Sequence, residues 1–438
     1  MDAQLLQVNL IDGAVPAFTY ALSAVAFVVL VARRPLRRSL AVAGIATAAG
    51  LVIGFALAWL LGDVWNAFDV TLTFVTRLWF ALGIAGVLVA LTSLWRPRRW
   101  RLGWWRAAVA GVSVLLFASM ASIGINADLG EFPTVGSAIG NGQLQPLVLA
   151  DLSHSALSVK GTARTSWHPP TFIPRVGRVG TVNIPPTASH FAARSAIVYL
   201  PPAALVANPP ALPVLVMLGG QPGSPANVLE SGQLPQILDS YARSHEGLAP
   251  IVVIPDQLGT SAANPMCLDS PLGNVATYLT VDVPHWITSH FSVLSGPRYW
   301  GIGGFSEGGT CAIQLGAKYP SLFGNILDVS GQVVPSNGSV AHTIAVAFGG
   351  SVSAYRAAEP QSLLAAGAPF TRSLGIFGVG QNDAKYAPEA ELISSAARAA
   401  GMDAHLVQSP GTAHDWYTVK YVIRSALPLL YQRWGLSR

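Results

Sequence analysis

Four long apolar segments occupy the first 125 residues, and they restrict the possible fold more than any other feature of the chain. A helix needs about 20 apolar residues to cross the hydrocarbon core of a bilayer. A helix also satisfies its backbone hydrogen bonds internally, which lipid requires. Residues 1–125 are therefore predicted to form a four-helix transmembrane anchor. The segments are residues 15–32, 40–61, 70–94 and 107–125.

The charges between these segments predict how the helices are oriented. Arginines cluster after the first and third segments, whereas the loop after the second holds Asp63 and Asp69 and no cation. Because positive loops stay in the cytoplasm, the N-terminus and everything after residue 125 are expected outside it, in a multi-pass cell-membrane protein. No basic residue precedes the first segment, which argues against a cleaved signal peptide. The arginines are at positions 33, 34, 37, 38, 96, 98, 99, 101 and 106.

The net charge of +5 does not indicate a nucleic-acid partner. Nine of the 26 basic residues are those loop arginines, and the other 17 are outnumbered by 21 acidic residues. A polyanion-binding domain would instead concentrate its lysines and arginines on one face. The expected partner is the lipid bilayer, with no nucleic acid.

A glycine-rich pentapeptide gives the strongest indication of chemistry. Residues 304–308 read Gly-Phe-Ser-Glu-Gly, a G-x-S-x-G. This pattern is typical of the nucleophile elbow, a sharp strand-to-helix turn that raises a serine hydroxyl above a parallel sheet. A short apolar run precedes it, and a helical pattern that ends before Pro320 follows it. We interpret Ser306 as a nucleophile; the alternative is a serine that only caps the helix.

Residues 179–438 alternate between strand-like and helical patterns, whereas residues 126–178 are proline-rich and without period, which indicates an extracytoplasmic connector. The alternation predicts a mostly parallel sheet with helices on both faces. Its active site would lie at the carboxyl ends of the strands. Strand-like runs occur at residues 195–200, 213–218, 250–254, 298–302, 324–329, 373–379 and 404–407. Helical patterns occur at residues 226–244, 274–291, 306–318, 386–400 and 413–434.

Three histidines follow Ser306, and one of them is well placed to act as its general base. A serine nucleophile needs such a base, and the base needs an acid that orients it. His414 lies in a loop directly after the last predicted strand, where we expect the base. The alternatives, His342 and His405, fall beside or within apolar runs that suit structural histidines.

The expected acid is Asp383, at the carboxyl end of the strand-like run 373–379. Sheets of this kind order their residues as serine, acid, histidine along the chain, and Asp383 fits that order. Glu389 and Glu391 are rivals, although both fall within the next predicted helix.

The oxyanion of the reaction needs two backbone N–H groups. One is expected from Glu307.

The second oxyanion donor is expected from the loop after the run 213–218, at Gly220 or Gln221. Glycine in this loop would allow the backbone to approach the substrate closely.

The two cysteines, Cys267 and Cys311, are predicted to form a disulfide that braces the elbow, with two buried free thiols as the alternative. The chain has no H-E-x-x-H and no paired C-x-x-C, so neither a metal nor a cofactor is predicted.

Residues 180–438 resemble the esterase D-like family named "Putative esterase", a group of α/β-hydrolases that includes bacterial feruloyl esterases and actinobacterial mycolyltransferases. The N-terminal helices resemble a membrane-tethered branch of it found in actinobacteria. The resemblance implies a carboxylic ester substrate and a triad of Ser306, Asp383 and His414. The likeness rests on the elbow and on residues 196–202, 213–220, 318–323, 380–383 and 411–416.

One stretch differs from the mycolyltransferases in that group. They usually carry Asp-Gly-Leu-Arg after the third strand, whose charged residues help to hold a sugar, whereas this chain has Gly-Gly-Gln-Pro at residues 219–222. The first hypothesis is therefore a membrane-anchored serine esterase outside the cytoplasm that hydrolyses lipid or cell-envelope esters. The alternatives are an acyltransferase to a sugar or glycolipid, and a non-catalytic membrane scaffold. A transporter is disfavoured because the four segments lack paired acidic residues.

Overall fold

The computed structural model describes residues 3–32, 35–94, 100–140, 144–148 and 167–437. The chain divides into a helical unit, residues 1–142, and a sheet unit, residues 143–438. Part of the predicted connector 126–178 lies outside the described residues. So do five of the loop arginines, at positions 33, 34, 96, 98 and 99.

The helical unit contains the four expected apolar helices, each long and apolar enough to cross a membrane. Its helices are α1 (Ala3–Leu6), α2 (Ala14–Val31), α3 (Leu36–Trp59), α4 (Phe74–Leu94), α5 (Trp100–Leu129) and α6 (Val135–Ala138). One wider helical turn, Leu60–Val64, extends α3 beyond the predicted end of its segment. The four long helices are α2 to α5, and their bounds lie within several residues of those expected from the apolar pattern.

Small residues bring α3 and α4 into close contact. Gly50 of α3 lies against Ala85 of α4, and Gly54 lies one turn further along against Ala81. A Cβ atom added at either glycine would overlap the backbone of α4. The G-x-x-x-G pattern of α3 therefore sets how closely the two helices pack, as small residues do between apolar helices.

The sheet unit is built on one eight-stranded sheet. Its order is β1-β2-β4-β3-β7-β8-β9-β10, and β5 and β6 form a separate two-stranded ribbon. Within the eight-stranded sheet, β2 is antiparallel to both neighbours and the other pairs are parallel, whereas β5 and β6 are antiparallel. The strands are β1 (Arg178–Val182), β2 (Ala196–Leu200), β3 (Val214–Leu218), β4 (Ile251–Ile254), β5 (Asp269–Ser270), β6 (Gly273–Asn274), β7 (Trp300–Phe305), β8 (Asn325–Val329), β9 (Leu374–Gly380) and β10 (Asp403–Ser409).

The central strands of the sheet form the core of the unit, and helices connect the strands. Every residue of β3, β4, β7 and β8 is buried, and burial on both faces explains why β3 and β4 are continuous apolar runs. The α/β-hydrolase fold expected for this part of the chain is confirmed. The helices are α7 (Pro225–Glu230), α8 (Leu234–Ser244), α9 (Val275–Thr277), α10 (Val283–His290), α11 (Glu307–Lys318), α12 (Val340–Ala347), α13 (Val352–Ala357), α14 (Pro360–Gly367), α15 (Tyr386–Ala399) and α16 (Trp416–Trp434).

Several parts of the sheet unit differ from the sequence-based expectation. The edge strand β1 and the ribbon of β5 and β6 were not expected. The single helix predicted over residues 226–244 is two helices, because the chain turns at Gln233, which has a left-handed backbone with φ 49°. The helices α12 to α14, between β8 and β9, were also not expected. The strand carrying the elbow, β7, extends to Phe305 and so ends directly at Ser306.

Candidate active site

Ser306 occupies the turn between β7 and α11, at the carboxyl edge of the parallel strands. Its backbone has φ 58° and ψ −118°, a conformation that L-residues rarely adopt. Its N–H donates to the carbonyl of Val329 at the end of β8, 2.8 Å away. In the described structure its side chain makes no capping hydrogen bond to α11. The geometry therefore favours an elbow over a serine that merely caps a helix.

The two glycines of the pentapeptide lie where no side chain fits. A Cβ atom at Gly304 would overlap the backbone of Gly308. One at Gly308 would in turn overlap the carbonyl groups of Leu218 and Gly219, at the end of β3. The sharp turn at Ser306 depends on both close approaches.

Asp383 and His414 form a buried pair in the loops after β9 and β10. Asp383 Oδ2 lies 2.9 Å from His414 Nδ1, and the Asp383 side chain is only 1% exposed. The other carboxylate oxygen accepts the backbone N–H of Tyr386 at 3.2 Å. Because Nδ1 is directed at a carboxylate, it carries the hydrogen, and Nε2 is left to exchange a proton.

The imidazole of His414 lies beside the elbow. Its ring is 4.8 Å from the ring of Phe305, the residue directly before Ser306, and 4.5 Å from the ring of Tyr386. The imidazole therefore packs against two aromatic side chains. The structure thus brings Ser306, Asp383 and His414, predicted from three separate loops, to one edge of the sheet.

The rival residues occupy other environments. His342 is exposed on α12, and His405 of β10 contacts Asp403 through Nε2 at 2.9 Å. Glu389 of α15 accepts a backbone N–H from the loop after β8 at 2.9 Å. Glu391 is exposed on the same helix. The carboxylate that pairs with the His414 ring is that of Asp383.

Two of the predicted oxyanion donors lie close to Ser306. Glu307 is the first residue of α11, so its N–H has no partner within the helix. Gly220 is also close, since a Cβ atom there would be 3.4 Å from the Cβ of Ser306. The side chain of Gln221 donates to the carbonyl of Ala262 at 2.9 Å, which holds the tip of this loop.

The side chain of Glu307 is buried. One carboxyl oxygen accepts from Gln257 Nε2 at 3.0 Å. The other lies 3.0 Å from the sulfur of Cys311 and 3.7 Å from that of Cys267. Burial raises the pKa of this carboxyl to about 7, against the lowering effect of the Gln257 hydrogen bond and with a further rise from Asp256.

Cys267 and Cys311 are joined by a disulfide, which links the loop after β4 to the helix that begins at the elbow. The two cysteines are 44 residues apart, so the bridge closes a long loop of the unfolded chain. Among the described residues, one group of three side chains has the spacing for a metal ion: Cys267, Cys311 and Glu307. Because the two sulfurs are bonded to each other, they have no thiolate to offer a metal.

Three residues of this region were missed by the sequence analysis: Arg194, Asp256 and Gln257. Asp256 accepts hydrogen bonds from the backbone and guanidinium of Arg194, the shortest at 2.7 Å. Gln257 donates to Glu307. The available signal was the pair of polar residues that follows β4 at its carboxyl end, the edge where parallel sheets place their sites.

Comparison with known proteins agrees with this fold. Residues 192–414 match the family described as "Putative esterase". A protein of Corynebacterium glutamicum described as uncharacterized is 32% identical over 348 residues, which cover 77% of this chain and 78% of the relative.

Three solved structures are also similar to part of this chain. A ferulic acid esterase is 17% identical, covering 59% of this chain and 98% of its own, with a TM-score of 0.49. S-formylglutathione hydrolase from Agrobacterium tumefaciens is 23% identical, with coverages of 61% and 100% and a TM-score of 0.49. MPT51 of Mycobacterium tuberculosis is 17% identical, with coverages of 60% and 99% and a TM-score of 0.44. By its family match over half of its length, the chain belongs to the "Putative esterase" family and is a hydrolase or acyltransferase.

Proposed function

We propose that this protein is a membrane-anchored serine esterase whose sheet unit lies outside the cytoplasm. Ser306 would be the nucleophile, His414 the general base and Asp383 the acid that orients it. One observation carries the proposal: a histidine whose Nδ1 is 2.9 Å from a buried carboxylate packs on Phe305, the residue directly before a serine in a strained strand-to-helix turn. This combination of roles defines a catalytic triad more reliably than any sequence motif.

In the proposed acylation step, Ser306 Oγ attacks the carbonyl carbon of an ester and His414 Nε2 takes the hydroxyl proton. The carbonyl oxygen becomes an oxyanion that accepts hydrogen bonds from the N–H of Glu307 and from that of Gly220 or Gln221. The C–O bond to the alcohol then breaks, and the imidazolium returns the proton to that oxygen. The products are a free alcohol and an acyl-Ser306 ester.

In deacylation, a water molecule attacks the acyl-Ser306 carbonyl while His414 accepts its proton. The bond to Ser306 Oγ breaks, the proton passes to that oxygen, and the carboxylic acid leaves. Asp383 stabilises the imidazolium by accepting the hydrogen bond from Nδ1. An alcohol in place of water would make the same cycle an acyl transfer.

Lipid or cell-envelope acyl esters are the proposed substrates. Four helices long enough to cross a bilayer would hold the sheet unit close to such esters. Hydrolysis is the first candidate because residues 219–222 lack the charged residues of an Asp-Gly-Leu-Arg stretch. The mycolyltransferases that this chain resembles use that stretch to hold a sugar. Transfer to a sugar or glycolipid is the second candidate, and the family match is compatible with it.

The test uses a fluorophosphonate probe, which phosphorylates an activated serine, and hydrolysis of p-nitrophenyl esters by the full-length protein in detergent. Wild-type protein should be labelled. Ser306→Ala should abolish labelling, and Asp383→Asn should lower kcat by about 10³- to 10⁴-fold, because the carboxylate sets the histidine tautomer. Glu389→Gln is the matched control, since it removes the rival carboxylate, and should stay within about threefold of wild type.

Equal labelling of wild type and Ser306→Ala would refute the mechanism and leave the scaffold alternative. Hydrolysis and transfer are separated by adding a sugar acceptor: an acylated sugar formed with little free acid would mean transfer. Lipid and glycolipid profiles of cells that carry Ser306→Ala would then identify the ester that accumulates.

A further inference from the structure

Gln257 is a buried glutamine in the loop after β4, and its side chain connects two separate parts of the chain. It is 2% exposed. Its amide nitrogen donates to the carbonyl of Gly219 at 2.7 Å and to the Glu307 carboxyl at 3.0 Å. An amide nitrogen has two hydrogens, so both hydrogen bonds can form at the same time.

The two parts that Gln257 connects are those that carry the proposed oxyanion donors. Gly219 directly precedes Gly220, whose position lies against Ser306. Glu307 supplies the other N–H at the start of α11. One side chain thus spans the two backbone segments whose separation determines whether both N–H groups reach the same oxyanion.

The loop that holds Gln257 is itself fixed. Its neighbour Asp256 is fully buried and accepts from Arg194 and from the backbone N–H groups of Leu258 and Gly259, each at 3.1 Å. Burial opposes ionisation of Asp256, but the hydrogen bonds from Arg194 outweigh it and lower the pKa of this carboxyl. An ionised, fully bonded Asp256 leaves Gln257 little freedom to move.

Two further hydrogen bonds hold the loop after β3, which carries Gly220. Arg194 also donates to the carbonyl of Gly223 at 3.0 Å, and Gln221 donates to the carbonyl of Ala262 at 2.9 Å. The oxyanion loop, residues 219–223, is therefore held by the loop after β4 and by Arg194, which precedes β2. Gln257 is the member of this set that also reaches α11.

We propose that Gln257 is a positioning residue that holds the two oxyanion-hole segments at their working distance. This inference rests on the proposed serine esterase function. Preorganised N–H groups stabilise the charge that develops in the transition state and matter little to the neutral ester before reaction. Loosening them should therefore lower kcat and leave KM nearly unchanged.

The test compares Gln257→Met, which keeps the length of the side chain but removes its donors, with wild type on a p-nitrophenyl ester. We expect kcat to fall by about 10- to 100-fold, with KM within about threefold, because each oxyanion donor is typically worth more than that in kcat. The affinity for a boronic acid, which forms a tetrahedral adduct on the serine, should fall by a similar factor.

Gln314→Met is the matched control. Gln314 is a glutamine of α11 that is 3% exposed, and its amide donates to the carbonyl of Ala358 rather than to either oxyanion segment. It should lose comparable thermal stability while keeping kcat. If Gln257→Met does not fold, Gln257→Asn, which keeps the amide but is one methylene shorter, is measured instead and should show the same split.

An unchanged kcat in the Gln257 variant, or an equal fall in the Gln314 control, would overturn the inference. So would a rise in KM that accounts for the whole loss. These outcomes are distinct from failure of the proposed function, which would appear as Ser306→Ala retaining wild-type turnover. Loss of turnover in Ser306→Ala together with normal turnover in Gln257→Met would reject only the role of Gln257.

Discussion

Glu307 has a backbone that belongs to the proposed oxyanion hole and a side chain that is buried against the disulfide. A buried carboxyl without a cationic partner favours its neutral form, and burial raises the pKa of Glu307 to about 7 from an ordinary value of 4.5. Between these two values the folded chain holds a proton that the unfolded chain has released. The free energy of unfolding therefore falls as the pH rises through this range.

We predict that Glu307→Gln weakens this pH dependence. At pH 8 the variant should be more stable than wild type by about 1 to 3 kcal/mol, because the amide has no charge to bury. At pH 4.5 the difference should be small. The measurement is the urea midpoint of the sheet unit's unfolding in the detergent-solubilised protein at both pH values.

Glu391→Gln, on an exposed side chain of α15, is the control and should follow the wild-type curve. Asp328 is also buried with its pKa raised to about 7, so part of the slope should remain in Glu307→Gln. A slope identical to that of wild type would mean that Glu307 is already ionised in the folded protein at neutral pH.

At the scale of elements, the strands were predictable where burial on both faces leaves a continuous apolar run, as in β3 and β4. Only two of the five residues of the edge strand β1 are buried, so its sequence carries a weaker signal. The candidate triad was predictable because each member follows a strand end in a fixed chain order. Gln257 was not, because its partners lie 38 and 50 residues away and no local pattern encodes them.

The pairing of α3 and α4 gives a prediction at this scale. Gly50→Val should separate the two helices, because its added atoms would overlap the backbone at Ala85. Gly44→Val, on the same helix, is the control, since a Cβ there meets no atom within 4 Å. Thermal unfolding of the full chain in detergent should show a midpoint lowered by several degrees for Gly50→Val and little change for Gly44→Val. Equal midpoints for the two variants would argue against close packing of this helix pair.

At the scale of the whole molecule, we propose that the arginine clusters lie on the cytoplasmic side of the membrane and the sheet unit on the other side. The two cysteines of the chain are both in the disulfide, so the protein offers no free thiol of its own. New cysteines can therefore report their side of the membrane without further substitutions. This proposed topology rests on the positions of the arginine clusters, because loops rich in lysine and arginine remain in the cytoplasm.

We predict that Thr371→Cys, at an exposed position of the sheet unit, reacts with a membrane-impermeant maleimide in intact cells. Arg37→Cys, at an exposed position of the first arginine cluster in the first turn of α3, should react only after the membrane is permeabilised. Wild-type protein is the control and should remain unlabelled under both conditions. The reverse pattern would place the sheet unit in the cytoplasm and would remove cell-envelope esters from the proposed substrates.

The disulfide has a consequence for when this enzyme becomes active. It ties the helix that begins at the nucleophile to the loop whose Gln257 spans the oxyanion segments, and such bonds form in oxidising compartments rather than in the cytoplasm. On the proposed topology, newly made chains would lack this clamp until the sheet unit has been exported. Maturation of the site would then be coupled to export. Esters inside the cell would encounter only the form that lacks the disulfide.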